Sequence, residues 1–501
     1  MNINQKYKEF STTQELLAAY SQLIQTAQFD KATIAPKKGH SLASKRIALV
    51  SGEYFLIITS PKYQSLVEDL AKNKDKLSDE KRRIIELTYK EIERLKNIPH
   101  DEYVDYVQLS GESEIAWQKA RDKNDYAIFE PFLVKLIEYQ RKFAAYRNPE
   151  ANPYNLLLDD FQEGMDISKY DEFFNLIKTE LVPFIKKIAK IQAKRKSTII
   201  ENGDFKTELQ ERFVNDLAKY LDFDKSWGYL TTSVHPFTSS FNNNDVRITT
   251  AYDPKILTSA TFSVIHEIGH ATYEHQIKAR YEGTPIKTDL SLAVHESQSR
   301  LFENNIGRSY IFWQANYPKL QKVMSPRLDN LPLEEFYRAI NTARPSLIRT
   351  EADELTYPIH ILIRYEIEKG IFDGTLDISR LDKIWAEKYV EHLGVNPPDD
   401  LSGILQDIHW SDGTFGYFPT YALGSAYAAQ IAKCLFEELD VEAILAGKNT
   451  KALNSWLKTR LHQYGALHQP DRLLEMATGE PFNPSHYIEY LKEKFSKLYE
   501  L

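Results

Sequence analysis

The sequence predicts a mainly α protein with one small antiparallel β-ladder. Three observations carry that expectation. Apolar residues recur at helical spacing, with charged residues between them, over long stretches before residue 227 and after residue 250. From Trp227 to Thr250 the texture changes to short runs rich in β-branched and aromatic residues. No internal repeat or low-complexity segment interrupts the pattern.

Glu15 to Tyr20 opens a helix, and Pro61 after Ser60 starts another in its first turn. Over 79–98, Ile84, Ile85, Leu87, Ile92 and Leu95 fall at near-helical spacing. The pattern continues over 114–146 with a kink or break at Pro131, turns at Asn152-Pro153, and resumes from Ser168 to Lys196. Gly228 to Val234 and Val246 to Thr250 read as the strands of the ladder. His235 to Asp245 links them, with Asn242, Asn243 and Asn244 as a polar turn or a strand edge. Asp253-Pro254 caps a helix through the 270s, and a second helix runs from Asp289 to Asn304. Helices continue to the C-terminus, apart from a loop-like stretch from Val395 to Thr420.

Length alone would divide 501 residues into about three domains of ~150, but no linker marks a boundary. With 42% hydrophobic and 27% charged residues the chain can bury a large core. Its net charge of -8, from 71 acidic against 63 basic residues, argues against binding to nucleic acid or anionic membrane. Cys434 is the single cysteine, which excludes an intramolecular disulfide and a multi-thiolate metal site. The first residues lack an apolar signal core and no run of ~18 apolar residues occurs, so a cytoplasmic location is expected.

The helix after Asp253 carries His266-Glu267-Ile268-Gly269-His270. Histidines four apart share a helix face and can bind one zinc-like ion, with Glu267 as general base on a water the ion activates. Gly269 costs ~1 kcal/mol of helix propensity against alanine, which points to a close approach on that face. A catalytic site needs a third ligand. The pattern with a glycine and a histidine further along fails at Tyr273 and Gln276, and His275 lies on another face. Glu296, Glu303 and Glu274 are the candidates, and Glu296 could equally pair with Arg300 one turn on.

At His295-Glu296-Ser297-Gln298 the chain resembles the carboxypeptidase Taq family of zinc metallocarboxypeptidases. The family's other motifs stand in order here: His235-Pro236-Phe237, Asp245-Val246-Arg247-Ile248-Thr249, His266 to His270, Ile348-Arg349-Thr350-Glu351-Ala352-Asp353, and Gly403-Ile404-Leu405-Gln406-Asp407-Ile408-His409-Trp410. The likeness continues through Gly416 to Tyr421 and Gly479-Glu480-Pro481. It departs at Phe29-Asp30 and at Phe302, where the family usually has tryptophan. The resemblance implies a large helical metallopeptidase with a deep substrate groove and commonly a homodimer. It also implies His266, His270 and Glu296 as ligands of Zn²⁺, with Glu267 as the catalytic glutamate; Co²⁺ or Mn²⁺ suits the same ligand set.

The activity expected is release of single amino acids from peptides with a free C-terminal carboxylate. Tyr421, His235 and His409 are candidate donors to the oxyanion. Arg349 is the candidate for the terminal carboxylate, oriented by Asp353 one helical turn on, with Arg247 as runner-up. The chain is read as a single catalytic unit, 1–501, with a helical first part over roughly 1–200 and the site in roughly 201–501. A zinc oligoendopeptidase or dipeptide-releasing enzyme is the first alternative, and an inert metal-binding scaffold the second.

Overall fold

Helices α1 (Ile3–Thr33) and α2 (His40–Ile58) open the chain and pack on each other. The computed structural model describes residues 2–195, 200, 203–288, 290–447 and 450–501. Helix α1 begins well before Glu15, because Asn2 and Gln5 form a capping box in which each side chain accepts from the other's backbone N–H. The described residues group into two compact units. The first comprises residues 1–96, 197–340 and 428–482, and the second 97–196, 341–427 and 483–501.

The first unit contains a sheet of β1 (Gly228–Thr232), β2 (Thr238–Asn242) and β3 (Asp245–Thr250), in the order β1-β3-β2. The sheet is mixed rather than purely antiparallel. β2 and β3 form the hairpin, turning at Asn243-Asn244, while β1 pairs parallel to β3 with Gly228 opposite Val246. The supposed link therefore contains a strand of its own, and it occupies the antiparallel edge of β3. Val246 and Ile248 of β3 are fully buried, and Thr250 donates to Ser263 on the following helix at 3.2 Å.

That helix, α3 (Leu257–Gln276), starts later than Asp253. The Asp253 side chain accepts from the Lys255 N–H in a local turn, and Ile256 stands at the N-cap without a side-chain cap. Next comes α4 (Leu292–Arg300), capped by the Ser291 hydroxyl and continued by a π-helical turn over Leu301–Gly307. Asp289, where the sequence reading began this helix, lies outside the described residues.

The second unit holds the helices His100–Lys123, Glu130–Arg147 and Ile167–Gln192. Pro131 thus sits in a first turn. Lys196, the expected end of the last helix, lies outside the described residues. This unit also contains α5 (Tyr357–Asp373), α6 (Leu381–Leu393) and the opening residues of α7 (Pro419–Glu438). Glu368 of α5, fully buried, accepts from Arg364 Nε, Trp410 Nε1, the Gly416 N–H and the Tyr154 hydroxyl at 2.8–3.1 Å. Four donors satisfy a buried carboxylate that burial alone would penalise heavily. They also tie the loop before α7 to α5.

Candidate active site

In the first unit, α3 lies against α4 closely enough that a Cβ on Gly269 would stand 2.5 Å from the Gln298 carbonyl oxygen and 2.7 Å from Ser299 Cα. This is the close approach that the glycine signalled. Gly269→Ala would gain ~1 kcal/mol of helix propensity, but the clash is with backbone and costs about 1–3 kcal/mol of overpacking. The expected result is a lower thermal transition and weaker metal retention, measured by calorimetry and metal titration.

The approach places Glu296 against both histidines. Glu296 Oε2 lies 3.9 Å from His266 Nε2 and 3.5 Å from His270 Nε2. One ligand atom from each of the three residues lies within 4.8 Å of the others. The outer atoms have other tasks. His266 Nδ1 meets Glu303 Oε2 at 2.9 Å, and Arg300 Nε donates to Glu296 Oε1 at 2.6 Å. Glu303 in turn receives Arg308 at 3.2 Å and Arg300 at 3.4 Å. A histidine braced by a carboxylate on its far nitrogen is the usual support of a metal ligand, because it fixes tautomer and ring plane. Two imidazoles and a carboxylate with their inner atoms convergent fit a divalent ion of the zinc type.

Burial, together with the neighbouring histidines, pushes His270 down to about 3, so it is neutral and its lone pair can bind an ion. Burial would lower His266 too, but Glu296 and Glu303 outweigh it and raise it. Arg300 and the histidines overcome burial at Glu296, whose carboxyl is held well below the usual range. Glu303 is lowered to about 2, against its burial, by His266 and the two arginines. Glu267 moves the other way, raised chiefly by burial, as suits a proton acceptor. Its Oε2 accepts from the Thr238 hydroxyl of β2 at 2.5 Å.

The rival carboxylates are accounted for as well. Glu303 supports His266. Glu274 binds His295 Nε2 at 3.0 Å and Lys287 Nζ at 2.6 Å, and His295 stacks on His270 with ring centroids 4.4 Å apart. His275 stacks on Trp227 and bonds the Asn243 carbonyl. His235 sits on the exposed loop before β2. Arg247 on β3 makes a double contact with Asp245 at 2.7–2.8 Å and lies over Phe241, while Phe29 packs edge-on against Phe237 and Phe241.

In the second unit, Arg349 is buried. Its Nε and Nη2 contact Asp407 at 2.8–3.2 Å, its Nη1 donates to the Tyr357 hydroxyl at 3.2 Å, and Phe418 and Tyr421 lie against the guanidinium. Asp353 is not its partner. It closes the turn that precedes α5, accepting from the N–H groups of Leu355 and Thr356, the Thr356 hydroxyl and the Arg344 N–H at 2.8–3.0 Å. The expectation of a one-turn pair fails because Arg349–Glu351 is a 3₁₀ turn followed by extended Ala352. His409 Nε2 lies 3.2 Å from the Tyr421 hydroxyl, and burial lowers this histidine to about 3. Among the described residues a second cluster with metal-ligand spacing, Glu366, Glu391 and His392, is filled by Lys178 and Lys388, which occupy its carboxylates.

Sequence reasoning missed Thr238, Arg308, the supporting role of Glu303 and the Asp407 partner of Arg349. Glu303 carried a signal, since it follows Glu296 by two helical turns, and Asp407 lay within a motif already noted.

A helical chain with a His-Glu-x-x-His helix and, on the next helix, a glutamate facing both histidines offers the donor set of the two-histidine, one-carboxylate metallopeptidases. The family model for carboxypeptidase Taq (M32) metallopeptidases matches residues 9–495, and the chain belongs to that family. It is 39% identical over 502 residues to carboxypeptidase 1 of Bacillus subtilis (strain 168), covering 100% of both chains. To thermostable carboxypeptidase 1 of Thermus thermophilus it is 35% identical, over 99% of this chain and 98% of that one. The crystal structure of the M32 carboxypeptidase from Deinococcus radiodurans R1 superposes with a TM-score of 0.94 at 31% identity, covering 99% of this chain and 100% of that chain.

Proposed function

We propose that this chain is a metal-dependent carboxypeptidase that releases single C-terminal amino acids, with His266, His270 and Glu296 holding a divalent ion and Glu267 as general base. The observation that carries the reading is the convergence of those three ligand atoms beside a buried glutamate of raised pKa. Zn²⁺ suits the ligand set best, and Co²⁺ or Mn²⁺ can replace it.

A divalent ion held by His266, His270 and Glu296 would supply Lewis acidity and would make a nearby water more acidic, towards about 7. Thr238 holds Glu267 Oε2, which leaves Oε1 to take the proton of the attacking water and pass it to the leaving amine. Tyr421, oriented by His409, is the first candidate donor to the developing oxyanion, and His235 the second. Both described units belong to one catalytic unit in this reading. A chain with a single cysteine suits a reducing cytoplasm, and the family resemblance supports a homodimer.

Arg349 is the group for the substrate carboxylate. Asp407 takes the Nε–Nη2 edge of the guanidinium, and the Nη1–Nη2 edge can fork a second carboxylate. Arg349→Lys keeps the charge and loses the fork. Its expected effect is a rise in KM of about 10–100-fold for free-acid peptides, the worth of one charge-assisted hydrogen bond or more, with no change for C-terminally amidated ones. Steady-state kinetics on paired peptides tests it. Equal loss on both members of each pair contradicts the role.

A further inference from the structure

Helices α5 and α6 of the second unit meet through two rungs of polar side chains. His360 and Arg364 stand one turn apart on α5, and Trp385 and Tyr389 one turn apart on α6. The His360 and Tyr389 rings lie 5.5 Å apart, and the Arg364 guanidinium lies 5.9 Å from the Trp385 ring. All four side chains are buried, Arg364 completely. The guanidinium also lies against the Trp410 ring at 3.8 Å and the Phe418 ring at 4.3 Å.

Arg364 Nε donates to Glu368, but Nη1 and Nη2 have no acceptor among the described residues, and neither has Trp385 Nε1. The carboxylates nearby are occupied. Glu368 already accepts from four donors, Asp407 is taken by Arg349, and Asp412 accepts from the Thr414 N–H. Burial lowers Arg364 from its ordinary value by more than Glu368 and Asp407 offset. A guanidinium and an indole can only donate. His360 joins them, because its Nε2 is likewise without a partner. When the Tyr389 hydroxyl donates to His360 Nδ1, at 3.0 Å, Nε2 carries the proton. A ligand between the two helices therefore meets donors alone. A water molecule needs acceptors for its own protons, and a cation is repelled by Arg364. A small anion needs only donors, and its charge offsets a buried guanidinium.

We infer that Arg364, Trp385 and His360 bind a small monovalent inorganic anion of the chloride class, buried between α5 and α6. Full burial favours a weakly hydrated halide over fluoride, which gives up its water at greater cost. Phe418 lies against both guanidiniums, at 4.3 Å for Arg364 and 5.0 Å for Arg349. The site thus stands one ring behind the group assigned to the substrate carboxylate. The anion takes no part in hydrolysis. It completes the packing of α5, α6 and the segment from Trp410 to Phe418.

The test uses metal-loaded, full-length protein at constant ionic strength, with gluconate replaced stepwise by chloride. Gluconate is too large for a site between two packed helices. The thermal transition is expected to rise with chloride and to saturate, as it does for a ligand bound only by the folded state. Crystals grown in bromide are expected to show an anomalous peak between Arg364 and Trp385. Trp385→Phe keeps an aromatic ring and removes one donor. It is expected to raise the half-saturating chloride concentration about tenfold, the worth of one hydrogen bond to a charge. A transition indifferent to the anion, with no bromide peak, overturns the inference and leaves the donors to water. A chloride effect that Trp385→Phe leaves unchanged, or a bromide peak elsewhere, overturns the assignment of this site.

Discussion

Glu267→Gln is expected to lower kcat by about 10²–10⁴, the usual worth of a general base, with little change in KM or metal content. The glutamine keeps the volume and still accepts from Thr238, so the site stays intact while proton acceptance is lost. Burial raises the carboxyl of Glu267 and Thr238 holds one of its oxygens, an arrangement that keeps a single oxygen oriented and basic. The checks are single-turnover rates and metal analysis on the same sample. Activity within a few-fold of wild type would contradict the role.

Glu296→Ala is expected to abolish measurable activity by releasing the metal. The substitution removes a carboxylate oxygen 3.5 Å from His270 and 3.9 Å from His266, and with it the group that Arg300 Nε contacts at 2.6 Å. A buried positive group then remains where a divalent cation has to sit, so the loss exceeds that of one ligand bond. Competition against a chelator of known affinity measures it. Metal retention equal to wild type would show that the ligand is another carboxylate, with Glu303 the obvious replacement.

Much of the site was legible because helix geometry is regular. Spacing alone puts His266 and His270 on one face, and Gly269 in a helix interior announced the contact with Gln298 and Ser299. The candidate for the third ligand was not fixed by spacing. Glu274, Glu296 and Glu303 all face the same cluster, and only packing separates the one that points inward from the two that brace histidines from outside. The sheet was half legible. Its β-rich runs were visible, but β2 was masked by Pro236 and the asparagines around it. The parallel pairing of β1 with β3 depends on which edge of β3 the hairpin takes, and no local signal records that. The partner of Arg349 was misread because a helical turn was assumed over a 3₁₀ turn with an extended exit, so the partner came from far along the chain, at Asp407.

Product analysis on one matched peptide pair, free acid against C-terminal amide, bears most directly on the central claim. It is run on native protein, on chelated protein, and after Zn²⁺, Co²⁺ or Mn²⁺ is restored. The expected result is stepwise loss of single residues from the free-acid peptide, none from the amide, no activity after chelation and recovery with metal. Equal cleavage of both peptides, or activity untouched by chelation, would contradict it.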